Sequence, residues 1–158
     1  LSYSILEGDD VKKVSKKMNG LFKSAYIMLN VFFFLNLSKT LRDYRKKLKV
    51  NLQRYKEGGD PWCRHAPMIV VIYREKGWAT GFEDGIISSA HFVLAAETLG
   101  IGTCYFGLAQ EFSPFSSGLK KLLKVPKGKL LVYPILVGYP KYKYYRYPAR
   151  KKLVLENE

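Results

Sequence analysis

Residues 94–107 read Leu-Ala-Ala-Glu-Thr-Leu-Gly-Ile-Gly-Thr-Cys-Tyr-Phe-Gly. An apolar helix runs into Gly100, turns, and passes through a second glycine, Gly102, into a strand that ends at Gly107. A backbone without Cβ atoms can approach a flat or charged ligand closely. A helix-capping glycine before a core strand gives the same pattern in any α/β protein. Other chemistry-bearing residues are sparse. His65 and His91 are the only histidines, and Cys63-Arg64-His65 has no second Cys/His pair near it. A zinc site needs three or four ligands, so no metal is expected. There is no Gly-x-Ser-x-Gly nucleophile motif. Neither Gly100-x-Gly102 nor the span from Gly102 to Gly107 is a dinucleotide or P-loop fingerprint. Cys104 reads as a small buried residue in the turn, not a redox thiol.

The 158 residues fit a single domain, with 47% apolar and 15% aromatic content. Net charge is +14, from 27 Lys+Arg against 13 Asp+Glu, which favours anionic partners. Two cysteines cannot form a disulfide framework, and their scarcity points to a cytoplasmic protein. The longest apolar run, Ala25 to Leu37, has 13 residues and two asparagines. It is too short to span a bilayer and lies too far from the N-terminus for a signal peptide. A buried helix or a subunit interface is the expected place for Phe32, Phe33 and Phe34. The chain starts at Leu1, and its natural N-terminus is expected to lie elsewhere.

The pattern predicts the elements that hold the turn in place. Tyr3 to Leu6 reads as a strand. Asp9 or Asp10 caps a helix to about Lys23, with Val11, Val14, Met18 and Leu21 on one face. Residues 25–37 read as a buried helix. Ser38 caps another from Lys39 to Tyr55, whose outer face holds Lys39, Arg42, Arg45, Lys46, Lys47 and Lys49. Gly58-Gly59-Asp60-Pro61 is a loop, and Pro67 to Tyr73 is a strand buried on both faces. Gly81 to Leu99, apolar nearly all round its second half, reads as a long helix at the centre of the fold. Tyr105 to Leu108 is strand or strand exit. Ser116 to Leu123 is a short helix stopped by Pro126, and Lys129 to Gly138 is a second buried strand. The tail from Tyr139 carries five tyrosines, six basic residues and two prolines, and should run extended.

Taken in order, several segments resemble the nitroreductase family over about residues 60–155. They are Ala66-Pro67 before Met68-Ile69-Val70-Val71, Asp84 heading the long helix, Leu94-Ala95-Ala96, and Leu99-Gly100-Ile101-Gly102-Thr103-Cys104. Pro126, the strand 129–138 with Gly138-Tyr139-Pro140, and the basic close Arg146-Tyr147-Pro148-Ala149-Arg150-Lys151 complete the match. The tail is similar to the branch whose members often carry a ferredoxin-like iron–sulfur domain. The grouped cysteines of such a centre are missing here. The resemblance implies an α/β (α+β) fold: a central mixed, mainly antiparallel sheet flanked by helices, a long buried central helix, and an extended C-terminal tail.

It also implies a flavin enzyme, with FMN carrying the chemistry and no catalytic side chain. Hydride would pass from NAD(P)H to a nitroaromatic, quinone or similar acceptor in a ping-pong cycle. No side chain is an electron sink, whereas a flavin is one. By the resemblance, Gly107 and Leu108 would offer backbone N–H groups to the ring, as an oxyanion hole does. Tyr105 and Phe106 would flank it, although both also fit simple core packing. Arg150, then Lys151 and Arg146, would bind the FMN phosphate. The family's Arg-Ser-x-Arg and Pro-Ser-x-Asn motifs are not among these residues, so the chain reads as lacking its N-terminal helix. The resemblance further implies a homodimer with residues of both chains lining each flavin.

Two alternatives stand beside this reading. One keeps the flavin and takes electrons from an acidic ferredoxin. The other is a cofactor-free basic binding protein for nucleic acid or acidic partners, its tail tyrosines stacking on single strands. No nucleic-acid motif is recognisable, so no nucleic acid is expected, and no membrane association.

Overall fold

The computed structural model describes residues 1–31, 39–142 and 149. Its elements are β1 (Ser2–Glu7), α1 (Asp9–Val31), α2 (Lys39–Lys56), β2 (Met68–Glu75), α3 (Gly81–Thr98), β3 (Gly102–Tyr105), α4 (Gly107–Phe112), α5 (Ser117–Leu122) and β4 (Lys129–Gly138). A single 3₁₀ turn, Ser113–Phe115, links α4 to α5. The sheet runs in the order β1-β2-β4-β3, and every pairing is antiparallel.

The two central strands behave as their unbroken apolar runs require. Ile69, Val70, Val71 and Ile72 of β2 are all buried, as are Val132, Ile135, Leu136 and Val137 of β4. Their side chains feed two separate cores. On one face Ile69, Val71 and Leu136 pack with α1, α2, α4 and α5, through Val14, Met18, Phe22, Leu48, Ala109 and Leu119. On the other, Val70, Ile72, Val132, Ile135 and Val137 pack under α3, through Phe82, Phe92 and Val93. Strict alternation would put Val132 and Tyr133 on opposite faces. A register shift between Ile72 and Tyr73 puts both on the α3 side and returns Leu131 to the first face.

Helix α1 differs from its expected form. It does not stop near Lys23 but continues to Val31, absorbing the first part of the apolar run. Nothing beyond Phe22 in it is buried, and Ile27, Met28 and Val31 are more than half exposed. Tyr26 and Leu29 only border the core, so this segment is not the buried helix expected. Residues 32–38, with the phenylalanine run and the Ser38 cap, lie outside the described residues. Asp9 and Asp10 sit in the first turn of the helix, with Gly8 before them. Hydrogen bonds from Lys12 to Asp9, and from Lys124 and Lys13 to Asp10, hold both carboxyls below their ordinary value. The short helix expected from Ser116 is α5, with Ser116 as its cap, accepting from the Leu119 amide at 3.2 Å.

Helix α3 is the larger correction. It was expected at the centre of the fold, yet it covers one face of the sheet, and among the described residues its far side is open. Its buried residues are Gly81, Gly85, Ser89 and Ala96, all small. They let the helix lie close: a Cβ built on Gly85 would stand 2.6 Å from Val132 Cγ1. Its large apolar residues Ile86, Ile87 and Leu94 face outward, Leu94 at 66% exposure. The helix is apolar on both sides, but the described residues supply a neighbour for only one. Tyrosine hydroxyls from both edge strands steady it: Tyr3 meets Ser88 Oγ at 2.6 Å, and Tyr105 meets Ser89 Oγ at 3.2 Å.

Close seating of α3 sets up a contest at Gly85. Replacing glycine by alanine inside a helix normally stabilises by roughly 0.5–1 kcal/mol. Here the new methyl meets Val132, and overpacking costs about 1–3 kcal/mol. Gly85→Ala is therefore expected to destabilise the protein in urea unfolding. A more stable variant would mean that α3 does not rest on Val132.

Candidate functional site

The three glycines of the 100–107 segment serve three different ends. Gly100 closes α3. Its φ is +70°; its amide bonds to Glu97 O at 3.0 Å and the Ile101 amide to Ala96 O at 2.9 Å. This is a Schellman cap, where a left-handed residue is required. Gly102 opens β3 opposite Gly138. A Cβ on Gly102 would lie 3.3 Å from Gly138 O, and one on Gly138 only 2.8 Å from Pro67 Cδ. Gly107 answers to neither demand. It has no left-handed φ, and a Cβ on it would meet nothing within 4 Å. Among the described residues, nothing occupies the space over Gly107.

The strand ends earlier than expected, at Tyr105. Phe106 leaves it with ψ 61°, and its amide bonds to Pro134 O at 2.8 Å. Its carbonyl then accepts from the Ala109 and Gln110 amides, which starts α4. Gly107 and Leu108 are therefore the first residues of a helix, not the end of a strand. Amides at that position have no acceptor within their own helix. Tyr105 and Leu108 are exposed, at 42% and 37%. Tyr105 stands edge-on to Tyr133, ring centroids 5.3 Å apart. Phe106 is different: its side chain is 3% exposed and packs in the core on the α1 side. It anchors the segment from below, and only its backbone borders the open side. Arg146, Arg150 and Lys151 lie outside the described residues.

The result is a shelf: an exposed tyrosine, an open glycine and two amides at a helix start. Two concavities among the described residues lie elsewhere, one of about 370 Å³ at Arg54–Pro61 and one of about 530 Å³ between Ser117 and Lys129. Two adjacent amide donors beside an exposed aromatic ring are the groups that a flat ligand with acceptor atoms along one edge would need.

The remaining candidates are structural. Cys63 is fully buried. Burial, then the charge of Asp60, pushes its thiol up to about 12 against a partial offset from Ser15, so it is no nucleophile at neutral pH. Cys104 lies in β3, not in the turn, and is half-buried. No group of His, Cys, Asp and Glu among the described residues could hold a metal. No helix among them is long and apolar enough to cross a membrane.

Sequence reasoning left Asp60 as a loop residue. In the structure its carboxylate accepts from Ser15 Oγ at 2.6 Å and from the Cys63 and His65 amides at 3.0 and 3.2 Å. It thereby holds Arg64 and His65 in left-handed conformations, φ 56° and 54°, and delivers Pro67 to the head of β2. Trp62 beside it stacks on Phe22 at 4.2 Å and donates to Asn19. The signal was present in Asp-Pro-Trp-Cys, since aspartate commonly accepts from amides two or three residues on.

Comparison with known proteins bears on what the shelf is for. The model of the nitroreductase family matches residues 11–139. The match begins well before residue 60, where the resemblance read from sequence began, and takes in α1 and α2. A nitroreductase with bound FMN from Bacteroides fragilis superposes with a TM-score of 0.63 at 17% identity, over 98% of this chain and 75% of that one. Another with bound FMN, from Desulfitobacterium hafniense, gives 0.60 at 18% identity, over 98% and 74%. The FMN-dependent nitroreductase NfnB from Mycobacterium smegmatis, in complex with NADPH, gives 0.55 at 12% identity, over 89% and 68%. At these identities the likeness is one of fold. No curated protein matches the chain by sequence.

The open space at Gly107 separates folding from ligand binding. Gly107→Ala is expected to leave stability unchanged or to raise it by up to roughly 1 kcal/mol, since alanine is the better helix residue. A loss above that in thermal or urea unfolding would mean that the glycine is needed by the fold itself.

Proposed function

The chain belongs to the nitroreductase family, and from that premise we propose that it is an FMN-dependent oxidoreductase. In this reading it passes hydride from NAD(P)H to a nitroaromatic, quinone or similar small acceptor in a ping-pong cycle. The observation that carries it is the shelf at Tyr105–Leu108, where the glycine is required by neither backbone nor packing. Bound there, FMN supplies the electron sink that no side chain offers. The Gly107 and Leu108 amides would donate to the edge of the ring and favour negative charge on it. Tyr105 would lie against the ring, and Phe106, fixed in the core, would keep the shelf rigid. Arg150, with Lys151 and Arg146, would bind the phosphate, whose double charge suits arginine's paired donors.

A nicotinamide donor is supported by the similar fold crystallised with NADPH. A second reading keeps the flavin and takes electrons from an acidic ferredoxin. The lysines and arginines of α1 and α2 favour it, because they face outward from one side of the sheet. Stopped-flow reduction by NADPH or by a reduced ferredoxin separates the two.

The protein carrying FMN should show the absorption bands of oxidised flavin, released on denaturation. Arg150→Ala should weaken FMN binding by roughly 1.5–3 kcal/mol, as for a hydrogen bond to a charged group, while Lys152→Ala changes little. A full-length preparation, including any residues before Leu1, that stays colourless after reconstitution would sink the flavin reading. Equal affinities for wild type and Arg150→Ala would remove Arg150 from the site.

The reading includes a homodimer paired through the outer face of α3, where Ile86, Ile87 and Leu94 need cover and each shelf lacks a second side. Light scattering should give twice the chain mass. Ile87→Glu with Leu94→Glu should give a monomer with lower FMN occupancy. A monodisperse wild-type monomer holding stoichiometric FMN would refute the arrangement.

A further inference from the structure

Five lysines surround one groove at the far end of β4, and none of them belongs to the shelf. Lys120 and Lys121 stand in the last turn of α5. The chain reverses at Lys124, whose φ of 54° is left-handed. The Lys124 amide bonds to Lys121 O at 3.0 Å and the Val125 amide to Lys120 O at 3.1 Å. This is the same cap that closes α3, but with lysine where glycine is the relaxed choice. Pro126 to Lys129 then forms a tight turn closed by the Lys129 amide on Pro126 O at 3.1 Å. Gly128 takes φ 87° at its third position, a type II turn with Lys127 at the tip. Two backbone reversals in six residues thus bring the lysines around Val125 and Pro126. With Ser117, they line a cavity of about 530 Å³.

Counter-charge is short. Among the described residues Asp10 pairs with Lys124 at 2.8 Å and is shared with Lys13, while Glu75 pairs with Lys129. Lys120, Lys121 and Lys127 form no ion pair there. Cations gathered so closely repel one another unless an anion joins them.

We propose that this groove binds a short chain of phosphate groups, an oligophosphate anion. Ammonium groups are compact point charges that receive phosphate oxygens without the fixed fork of arginine. Several lysines spaced round a groove suit several charges in a row better than one. No aromatic residue lines the groove to stack a base, so the phosphates are what is recognised. The volume lies in the range of small-molecule sites. Lys129 is six residues along β4 from Ile135, the partner of Tyr105, so the groove is about 20 Å from the shelf. It does not depend on the flavin reading.

Isothermal titration at low salt with tripolyphosphate, ATP and orthophosphate tests the proposal, with thermal shift as a second readout. Tripolyphosphate should bind at least tenfold more tightly than orthophosphate and weaken as salt is raised. Affinity for ATP equal to that for tripolyphosphate marks a free oligophosphate as the ligand, and tighter ATP binding marks a nucleotide. Lys120→Glu with Lys127→Glu should lower tripolyphosphate affinity at least tenfold. Lys120→Gln with Lys127→Gln serves if the charge reversal fails to fold. Lys46→Glu with Lys47→Glu on α2 changes net charge equally and should leave affinity within twofold. Equal weakening by the two reversals would reduce the effect to net charge and overturn the site. So would equal affinity for tripolyphosphate and orthophosphate, or the absence of both heat and thermal shift with tripolyphosphate.

Discussion

Strands β2 and β4 have almost no solvent face, and the need to cover them on both sides places every other element. Each large side chain fully buried there stabilises by roughly 1.5–3 kcal/mol, so leaving either face open would cost a large share of a typical fold's stability. One face takes α1, α2, α4 and α5, and the other takes α3. The shelf inherits its position from the same pair of strands. Phe106 is tied to Pro134 by its amide and sunk into the core by its ring. The start of α4 therefore cannot shift without disturbing β4.

Cover is uneven, and this gives the site its form. Four helices on one side can surround their strands. A single helix on the other must lie flat, and small residues at 81, 85, 89 and 96 allow that. The large residues of α3 then point away from the sheet. A pocket needs walls on several sides, whereas a layer one helix thick provides a floor. The shelf beside Tyr105 is open for that physical reason.

The central strands and the glycine turn were legible because an apolar run without alternation and a helix-capping glycine each have one dominant structural reading. Apolar periodicity was weaker evidence for α3. It shows that a surface avoids water but not whether the cover comes from the same chain, and so the helix was expected at the centre. The length of α1 was missed for a related reason: Ser24, Ala25 and Tyr26 continue a helix as readily as they end one. Phe106 illustrates a limit of strand parity, since the chain leaves the strand at that residue and alternation no longer says where the ring points. The amide partners of Asp60 were legible in Asp-Pro-Trp-Cys, but its bond to Ser15, 45 residues away, was not. The basic close of the chain, which carries the phosphate-binding expectation, lies outside the described residues.

The two covering layers also differ in charge. α1 and α2 are studded with lysine and arginine, and α5 ends in two lysines, whereas α3 carries none and has Glu83, Asp84 and Glu97. The charge of the described elements therefore has a moment directed across the sheet from the α3 side. In the field of an anionic body that moment would turn the α1 and α2 side inward and α3 outward, at a distance where salt has not yet screened the torque. Two chains joined through α3 would set their moments head to head and cancel them. Such a pair would approach a charged surface without preference for either end.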